Sequence, residues 1–484
     1  MNALLEDAKK ILEIPSLSHE GTDRAVQFLF SRLEEMGIPA KTQHVYHSME
    51  GVSKKQYNLI GIMGDPLVDR KIKQGLCLLS HIDTVEPPAL QKALSAEIKE
   101  GKVFGLGAAD AKLDFLCKIY AAAAFREKKL NQPIYLVATC GGEMGQFGSR
   151  YLIESHALNP LFVLVGAPTE LHLGHGHKQL ALYKMSVSYQ ITERDSKGFS
   201  RRVSLRVLGR GSHSAFLGGV NALTGLMDVL KAADEKGFKF KIVEIKGGGS
   251  TNRIPDDAFV QLYLTSHQFE DFKKFIKLQA TSREGLEFQV EYGNLGDIGI
   301  SFLPDNLFRS CRNIVDISQR LPGLLVGQTE EEYSPTGLTA AVTRVDQGMN
   351  RTEIYFDVRI PNRYSFVKVD EAFQALMRDV ASQNPALHFE LTRNRTSLGL
   401  VSPQKSAWLT TIEESYQGAE IPFQKIRSSM ATEAGLFAKA GYDVAFFGPG
   451  SADSSSHSPE ESVSTDSLEK AVKFYESLIE RVCL

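Results

Sequence analysis

The stretch Leu76-Cys-Leu-Leu-Ser-His-Ile-Asp-Thr-Val85 decides the fold of this chain. It begins with an apolar run of strand length and ends in polar residues, as a buried strand does where it meets a loop. His81 and Asp83 stand at that point, and both side chains carry atoms that bind metal ions. The stretch therefore predicts a strand that presents candidate metal ligands at its carboxyl end.

Two further short apolar runs, Ile134–Val137 and Phe162–Val165, are bounded by Gly, Pro and Asn and separated by helical patterns. This alternation is typical of an α/β fold with a mixed, largely parallel sheet flanked by helices. Functional side chains of such sheets lie beyond the carboxyl ends of the strands. His81, Glu143 and the loop Gly166-Ala-Pro-Thr169 all fall at such positions.

Residues 180–398 show a different pattern. Leu180–Gln190 and Arg201–Leu208 alternate polar and apolar residues, which is typical of antiparallel strands with one exposed face. We therefore predict an α+β domain over 180–398. It is inserted between the two parts of the α/β domain, 1–179 and 399–484.

The composition narrows the classes of function. A net charge of −3 gives no electrostatic basis for binding nucleic acid or an anionic membrane. The five cysteines are scattered and form no Cys-x-x-Cys pair, which argues against a disulfide framework and favours a reducing compartment. No apolar run approaches the roughly 20 residues that span a bilayer. The N-terminal residues are typical of an amphipathic helix rather than a signal peptide, so we expect a cytoplasmic protein.

Other short motifs add candidate ligands. Gly105-Leu-Gly-Ala-Ala-Asp110 places a carboxylate after a turn-rich stretch, and Glu143 and His457 follow further along the chain. Together with His81 they form a set of imidazole and carboxylate donors that suits zinc.

In their order along the chain these motifs resemble the zinc-dependent aminoacylase and carboxypeptidase family, which includes deacetylases, desuccinylases and dipeptidases. The match covers nearly the whole chain and is most similar to the dipeptidase branch. The motifs are Ile14-Pro-Ser-Leu-Ser18, Ser80-His-Ile-Asp-Thr-Val85, Gly105-Leu-Gly-Ala-Ala-Asp110, Gly142-Glu-Met-Gly145, Gly166-Ala-Pro-Thr169, Gly209-Arg-Gly-Ser-His-Ser214, Asn252-Arg-Ile-Pro255, Arg359-Ile-Pro361 and His457-Ser-Pro-Glu-Glu461.

The resemblance implies a site with two zinc ions that share one aspartate. Asp110 would be that bridge, and Glu143 and His457 would complete one metal site. His81 and a carboxylate from the loop after Gly166 would complete the other. Asp83 would accept the second N–H of His81 and fix its tautomer.

The resemblance also assigns substrate contacts to the inserted domain. His213 would stabilise the oxyanion, in many relatives across a dimer, so a homodimer through this domain is expected. Asn252 would hold the substrate, and Arg359 would bind its terminal carboxylate in a bidentate manner. The substrate would be a small acylated amino acid or a dipeptide.

Two positions depart from the family pattern. Gly142 stands where the family has its general-base glutamate, and Ala167 stands where it has the loop carboxylate. Losing a general base costs about 10²–10⁴ in rate. The second metal would keep only His81 and the shared Asp110, so one complete zinc site is expected. Glu170 is the nearest replacement base in sequence.

Three functions therefore stay open. The first is a metal-dependent hydrolase of amide or peptide bonds, of the exopeptidase type. The second is a catalytically degenerate family member with a binding or regulatory role. The third is a hydrolase that uses Cys140 or Ser212 without metal, although Cys140 is expected to be a buried structural thiol. Metal content would separate these alternatives.

Some conspicuous residues also have a plain structural interpretation. His172, His175 and His177 resemble a metal-binding tract but are expected to belong to a connecting strand. Glu460 and Glu461 are expected to lie in a solvated loop around His457.

Overall fold

A computed structural model describes residues 1–46, 56–66, 72–86, 90–191, 198–294, 301–325, 333–402, 406–452 and 460–484. Within these ranges the α-helices are, in chain order, α1 (Asn2–Leu12), α2 (Asp23–Glu35), α3 (Leu90–Ala93), α4 (Lys112–Ala123), α5 (Phe147–Glu154), α6 (Ala222–Glu235), α7 (Phe269–Ser282), α8 (Asp305–Gly323), α9 (Phe366–Ser382), α10 (Ala407–Gly418), α11 (Ala434–Lys439) and α12 (Thr465–Cys483).

The strands of the same ranges are β1 (Ala40–Val45), β2 (Gln56–Met63), β3 (Leu76–His81), β4 (Glu97–Lys99), β5 (Lys102–Phe104), β6 (Ile134–Thr139), β7 (Phe162–Gly166), β8 (Leu173–His177), β9 (Gln179–Ser188), β10 (Phe199–Leu208), β11 (Phe240–Gly247), β12 (Asp257–Thr265), β13 (Glu287–Asn294), β14 (Tyr333–Ser334), β15 (Thr339–Gln347), β16 (Arg351–Ile360), β17 (His388–Ser397), β18 (Leu400–Val401), β19 (Lys425–Ser428), β20 (Asp443–Phe447) and β21 (Ser462–Ser464).

The chain divides into two units. The first unit comprises Met1–Gln179, Glu332–Ser334 and Ser397–Leu484, and the second comprises Leu180–Glu331 and Pro335–Thr396. The predicted bounds place residues 333–334 in the inserted domain. In the structure these residues form β14, which belongs to the first unit because it pairs with β19 in that unit's sheet.

The first unit is built on a sheet with the strand order β1-β2-β6-β3-β7-β20-β8-β19-β14, and β18 pairs with β8. The central strands β6, β3, β7 and β20 run parallel to one another, whereas β1 and β2 are antiparallel. Every residue of β3 and β6 is buried, so both faces of the sheet are covered there. The predicted α/β fold with a largely parallel sheet is confirmed.

The end of β3 is supported by a buried ion pair. Asp114 Oδ2 accepts hydrogen bonds from Ser80 Oγ (2.7 Å) and Lys118 Nζ (2.7 Å). Lys118 Nζ also donates to the carbonyl oxygen of Leu79 (2.8 Å), and the Tyr475 hydroxyl donates to Asp114 Oδ1. Because burial lowers the pKa of Lys118, the charge of the amine depends on its partners. The network joins α4, α12 and the residue that precedes His81.

The second unit contains an eight-stranded sheet with the order β13-β10-β12-β11-β15-β16-β9-β17. The pairs from β13 to β16 are antiparallel. Its strands alternate buried and partly exposed residues, for example along β12, which agrees with the alternation in the sequence. The apolar sides of α6, α8 and α9 pack with the sheet in one hydrophobic core.

None of the helices in the described ranges has the length and apolar character that a membrane crossing requires.

Candidate metal centre

Three parallel strands of the first unit end side by side. His81 is the last residue of β3, Thr139 the last of β6 and Gly166 the last of β7. His81 pairs in register with Thr139, and β3 also pairs with β7. The loops that follow these strands therefore leave the sheet at one edge, where ligands bind in sheets of this kind.

The imidazole of His81 is held at both ring nitrogens. Nε2 lies 3.1 Å from Oδ1 of Asp110, and Nδ1 lies 3.1 Å from the backbone carbonyl oxygen of Asp83. Burial lowers the pKa of His81, but the carboxylates of Asp110 and Asp83 outweigh it and raise the pKa well above its ordinary value. Nε2, the nitrogen that a metal would bind, therefore faces the carboxylate of Asp110.

Glu143 completes a group of three donors. One ligand atom each of His81, Asp110 and Glu143 lies within 4.8 Å of the other two. Ligands of one tetrahedral zinc ion with bonds of about 2.0–2.1 Å lie about 3.3 Å apart. His81 Nε2 and Asp110 Oδ1 lie near that spacing, at 3.1 Å, and all three donors lie within 4.8 Å of one another. Imidazole nitrogen with carboxylate oxygen is a donor set that zinc accepts. These three residues fit a metal ion, and they would hold it.

The position of Asp110 depends on a distant glutamate. Oε1 of Glu461 accepts hydrogen bonds from the backbone N–H groups of Gly107 (3.1 Å), Ala109 (2.9 Å) and Asp110 (3.2 Å). Glu461 is buried, so its expected place in a solvated loop is wrong. Only Glu460 fits that expectation, because its side chain is exposed and forms an ion pair with Lys92. A buried carboxylate is stable here because three N–H donors satisfy it.

The carboxylate of Asp83 accepts hydrogen bonds from the backbone of the loop that carries Glu143. Its Oδ1 accepts from the N–H of Gly142 (2.8 Å), and its Oδ2 accepts from the N–H of Glu143 (3.1 Å) and from Ser18 Oγ (2.6 Å). The carboxylate was expected to accept from His81, but its nearest oxygen is 3.7 Å from Nδ1. The backbone carbonyl of Asp83 is the closer acceptor, because the carboxylate is turned towards the loop.

The two altered positions differ in their surroundings. A Cβ atom at Gly142 would lie 2.6 Å from both Cβ and Cγ of His81. The root of the His81 side chain occupies the space that a side chain at residue 142 would need, so packing requires the glycine in this structure. Ala167 is buried after β7 and offers no ligand atom.

Glu170 and His457 are the two remaining predicted site residues of this unit. Glu170 is exposed, its backbone has a φ of 54°, and its carboxylate accepts a hydrogen bond from Ser451 Oγ. It is not part of the metal-binding group found among the described residues. His457 lies outside the described residues, so its predicted role as a ligand stays a prediction.

Within the second unit, hydrogen bonds connect two of the residues predicted to contact substrate, Asn252 and Arg359. The backbone carbonyl of Asn252 accepts from the N–H of Ser214 (3.0 Å), which follows His213. Ser214 Oγ donates to Oδ2 of Asp357 (2.8 Å). Asp357 in turn accepts from Nε (2.6 Å) and Nη2 (2.8 Å) of Arg359. Asp357 thus takes the Nε–Nη2 edge of the Arg359 guanidinium.

His213 itself is buried, and its Nδ1 accepts a hydrogen bond from the N–H of Ala215 (3.1 Å). The predicted roles of His213, Asn252 and Arg359 stay predictions.

The groups proposed for chemistry without metal are poorly suited to it. Cys140 is buried, as expected, and burial raises the pKa of its thiol well above the ordinary value, so little thiolate is present. Ser212 Oγ has no hydrogen-bond partner in the described ranges, hence no base to activate it. His175 and His177 lie in β8, as predicted.

Sequence reasoning missed Glu433 and Asp357. Glu433 is 2% exposed and accepts hydrogen bonds from Thr139 Oγ1 and Ser149 Oγ, both at 2.8 Å. No local signal in the sequence separates a buried glutamate from an exposed one, because its partners lie far away in the chain. An acidic residue within an apolar stretch is the only pattern that could have drawn attention to it.

Comparison with known proteins agrees with this geometry. A sequence profile of peptidase family M20/M25/M40 matches residues 77–481, which is most of the chain. The chain therefore belongs to this family of hydrolases, and the predicted family resemblance is confirmed.

Curated relatives match over part of their length. The acetylornithine deacetylase of Buchnera aphidicola (strain APS) is 24% identical over 278 residues, which are 52% of this chain and 65% of the relative. The acetylornithine deacetylase of Proteus mirabilis is 29% identical over 183 residues, which are 36% of this chain and 44% of the relative. The aligned part covers less than two thirds of either relative.

Solved structures share the fold over almost the whole chain. Human carnosine dipeptidase 1 has a TM-score of 0.62 and 14% identity, with 99% of this chain and 97% of that chain covered. The metallo-carboxypeptidase Sso-CP2 of Sulfolobus solfataricus has a TM-score of 0.58 and 18% identity, with 100% and 99% covered. The aminoacylhistidine dipeptidase of Vibrio alginolyticus has a TM-score of 0.56 and 18% identity, with 99% and 96% covered.

Proposed function

We propose that this chain is a zinc-dependent hydrolase that cleaves the amide bond of a small acylated amino acid or a dipeptide. The observation that carries the proposal is the convergence of one nitrogen and two oxygen donors, from His81, Asp110 and Glu143, within 4.8 Å. The relatives support this class of substrate, because acetylornithine deacetylases are among the curated proteins and dipeptidases are among the solved structures.

A bound zinc ion would act as a Lewis acid and would lower the pKa of a bound water to about 7. The protein's own contribution is to orient the ligands. The carbonyl of Asp83 favours a proton on Nδ1 of His81, which leaves Nε2 as the donor atom. The carboxylate of Asp83 holds the backbone next to Glu143, and Glu461 holds the backbone next to Asp110.

The base must come from a residue other than Gly142. Glu170 follows β7 in the same unit, and its exposed carboxylate is fixed by Ser451. We propose Glu170 as the proton acceptor. Its exposure allows it to exchange protons with solvent between turnovers, and the Ser451 hydrogen bond restricts its rotamer.

In the second unit, the proposed substrate contacts are Arg359, Asn252 and His213. Arg359 would hold a carboxylate through Nη1, since Asp357 occupies its Nε–Nη2 edge. Asn252 belongs to the same hydrogen-bonded network, and Asn252 and His213 would contact the amide.

The test uses purified full-length protein with added zinc. Release of ornithine from N-acetylornithine, and of histidine from aminoacylhistidine dipeptides, would be measured with and without a chelator. We expect activity with zinc that falls about 10²–10⁴-fold in Glu170→Gln and is lost in Asp110→Ala and Glu143→Ala. The exposed residues His388 and Glu413 provide matched controls as His388→Ala and Glu413→Ala, which should retain activity.

A second candidate function is ligand binding without hydrolysis. It is favoured by the absence of a carboxylate side chain at Gly142 and Ala167. Zinc bound by the wild type at one ion per chain, tight binding of N-acetylornithine by calorimetry and no release of product would support it over the hydrolase. Absence of any zinc binding would overturn both.

A further inference from the structure

Glu433 is a buried acid at the start of α11, and one of its oxygens binds two hydroxyl groups. Oε1 accepts hydrogen bonds from Thr139 Oγ1 and Ser149 Oγ, both at 2.8 Å. Thr139 is the last residue of β6, and Ser149 lies in the first turn of α5. Glu433 therefore joins the two ends of the loop 140–146.

This loop carries Glu143 of the metal-binding group and Gly142, whose backbone packs against His81. Thr139 is also the register partner of His81 on the neighbouring parallel strand. A displacement of either loop end would move Glu143 relative to His81. The distance between these two ligands thus depends on how firmly the loop ends are held.

We propose that Glu433 is a positioning residue, which fixes the loop 140–146 at both ends and so sets the place of the metal ligand Glu143. The proposal rests on the metal site of the proposed function. Asp83 holds the middle of the same loop through the N–H groups of Gly142 and Glu143. Two carboxylates on different segments therefore hold one loop, one at its centre and one at its ends.

The chemistry of Glu433 favours this role over simple core packing. Oε2 of Glu433 is buried and has no hydrogen-bond partner among the residues that the structure describes. A buried oxygen without a partner reduces stability, so an apolar side chain would serve packing better. One oxygen of Glu433 accepts hydrogen bonds from two hydroxyl groups at once, which an apolar side chain cannot do.

The experiment measures zinc affinity in the full-length protein by competition with a chromophoric chelator. In Glu433→Ala we expect the Kd for zinc to rise about 10–100-fold, the range found for residues that orient metal ligands. Glu433→Gln should restore much of the affinity, because its amide oxygen accepts the same two hydrogen bonds. Thr139→Val and Ser149→Ala should each give a smaller rise.

Ser415→Ala is the matched control. Ser415 is also buried in the first unit, but its hydroxyl donates within α10, to the carbonyl of Thr411 (2.7 Å). Its zinc affinity should equal that of the wild type. Wild-type affinity in Glu433→Ala would overturn the proposal. If that variant does not fold, wild-type affinity in both Thr139→Val and Ser149→Ala would do so.

A second measurement separates this proposal from the proposed function. Hydrogen–deuterium exchange of the peptide 140–147 is recorded in metal-free protein. We expect faster exchange there in Glu433→Ala and Thr139→Val than in Ser415→Ala, even if the wild type binds no zinc. Unchanged exchange of this peptide would overturn the positioning role, whereas failed zinc binding by the wild type would overturn only the metal function.

Discussion

The backbone of Gly142 packs against the imidazole of His81 so closely that a Cβ atom at residue 142 would lie 2.6 Å from its Cβ and Cγ. Both contacted atoms are at the root of the His81 side chain, so the ring cannot turn away without moving β3. Gly142, which stands where the family resemblance places a general base, therefore packs directly against a residue of the candidate metal centre.

Gly142→Ala should weaken zinc binding. The added methyl group forces His81 from its place, and overpacking of this kind costs about 1–3 kcal/mol. We expect the zinc Kd to rise about tenfold, measured by chelator competition. Gly323→Ala is the control, since nothing lies within 4 Å of a Cβ atom there. Equal affinity of the two variants would contradict the steric argument.

Glu461→Ala should lower both stability and metal affinity. It leaves the N–H groups of Gly107, Ala109 and Asp110 without the acceptor Oε1. Hydrogen bonds to charged groups contribute about 1.5–3 kcal/mol each, so a loss of at least about 2 kcal/mol is expected in urea unfolding.

The neighbouring Glu460 supplies the control for this prediction. Glu460 forms an ion pair with Lys92, and both side chains are exposed. Such pairs contribute about 0–1 kcal/mol to the free energy of unfolding. Glu460→Ala should therefore unfold at nearly the wild-type urea concentration. A similar loss of unfolding free energy in both variants would contradict the prediction, because the buried hydrogen bonds of Glu461 would then contribute no more than an exposed ion pair.

Lys118→Met should be strongly destabilising. Lys118 is fully buried beside Asp114, 2.7 Å from its Oδ2. Removing one partner of a buried pair costs about 3–5 kcal/mol, because the other charge is left without compensation. The combined variant Asp114→Asn with Lys118→Met should regain part of this loss.

An exposed pair in α12 tests whether burial is the cause. Lys470 and Asp466 have the same i, i+4 spacing and a similar distance of 2.6 Å, but both side chains are largely exposed. Lys470→Met should change the free energy of unfolding by less than about 1 kcal/mol. A comparable effect of the two methionine substitutions would contradict the prediction.

Glu433 should make the stability of the metal-free protein depend on pH. Burial raises the pKa of its carboxyl above 4.5, although His81 and the hydrogen bonds of Ser149 and Thr139 lower it. Between 4.5 and the raised pKa, the native state binds more protons than the unfolded state, so stability falls as pH rises.

Comparison with Glu433→Gln isolates this effect. The free energy of unfolding of the wild type, minus that of the variant, should decrease as pH rises above about 4.5. Urea unfolding with chelator present would measure it. The uncharged substitution Ser415→Ala should show no such trend, and a difference that increases with pH would have the wrong sign.

The sequence by itself determined the central strands of the sheet and the first candidate ligand. Strands β3, β6 and β7 were predicted because burial on both faces demands uninterrupted apolar residues, a pattern visible within a few positions. His81 followed from its place at the end of such a strand. Motif order identified the family, and with it the candidate roles of Asp110 and Glu143.

Only the tertiary structure decided what holds those ligands. Glu433 and Thr139 are 294 residues apart, and Glu461 and Gly107 are 354 apart. Contacts over such separations leave no periodic trace in the sequence, since hydrogen-bond partners are selected by the folded backbone. The sequence also presented Gly142 as a lost base, whereas the structure places it as the residue that makes room for His81, because steric fit exists only once both segments are in place.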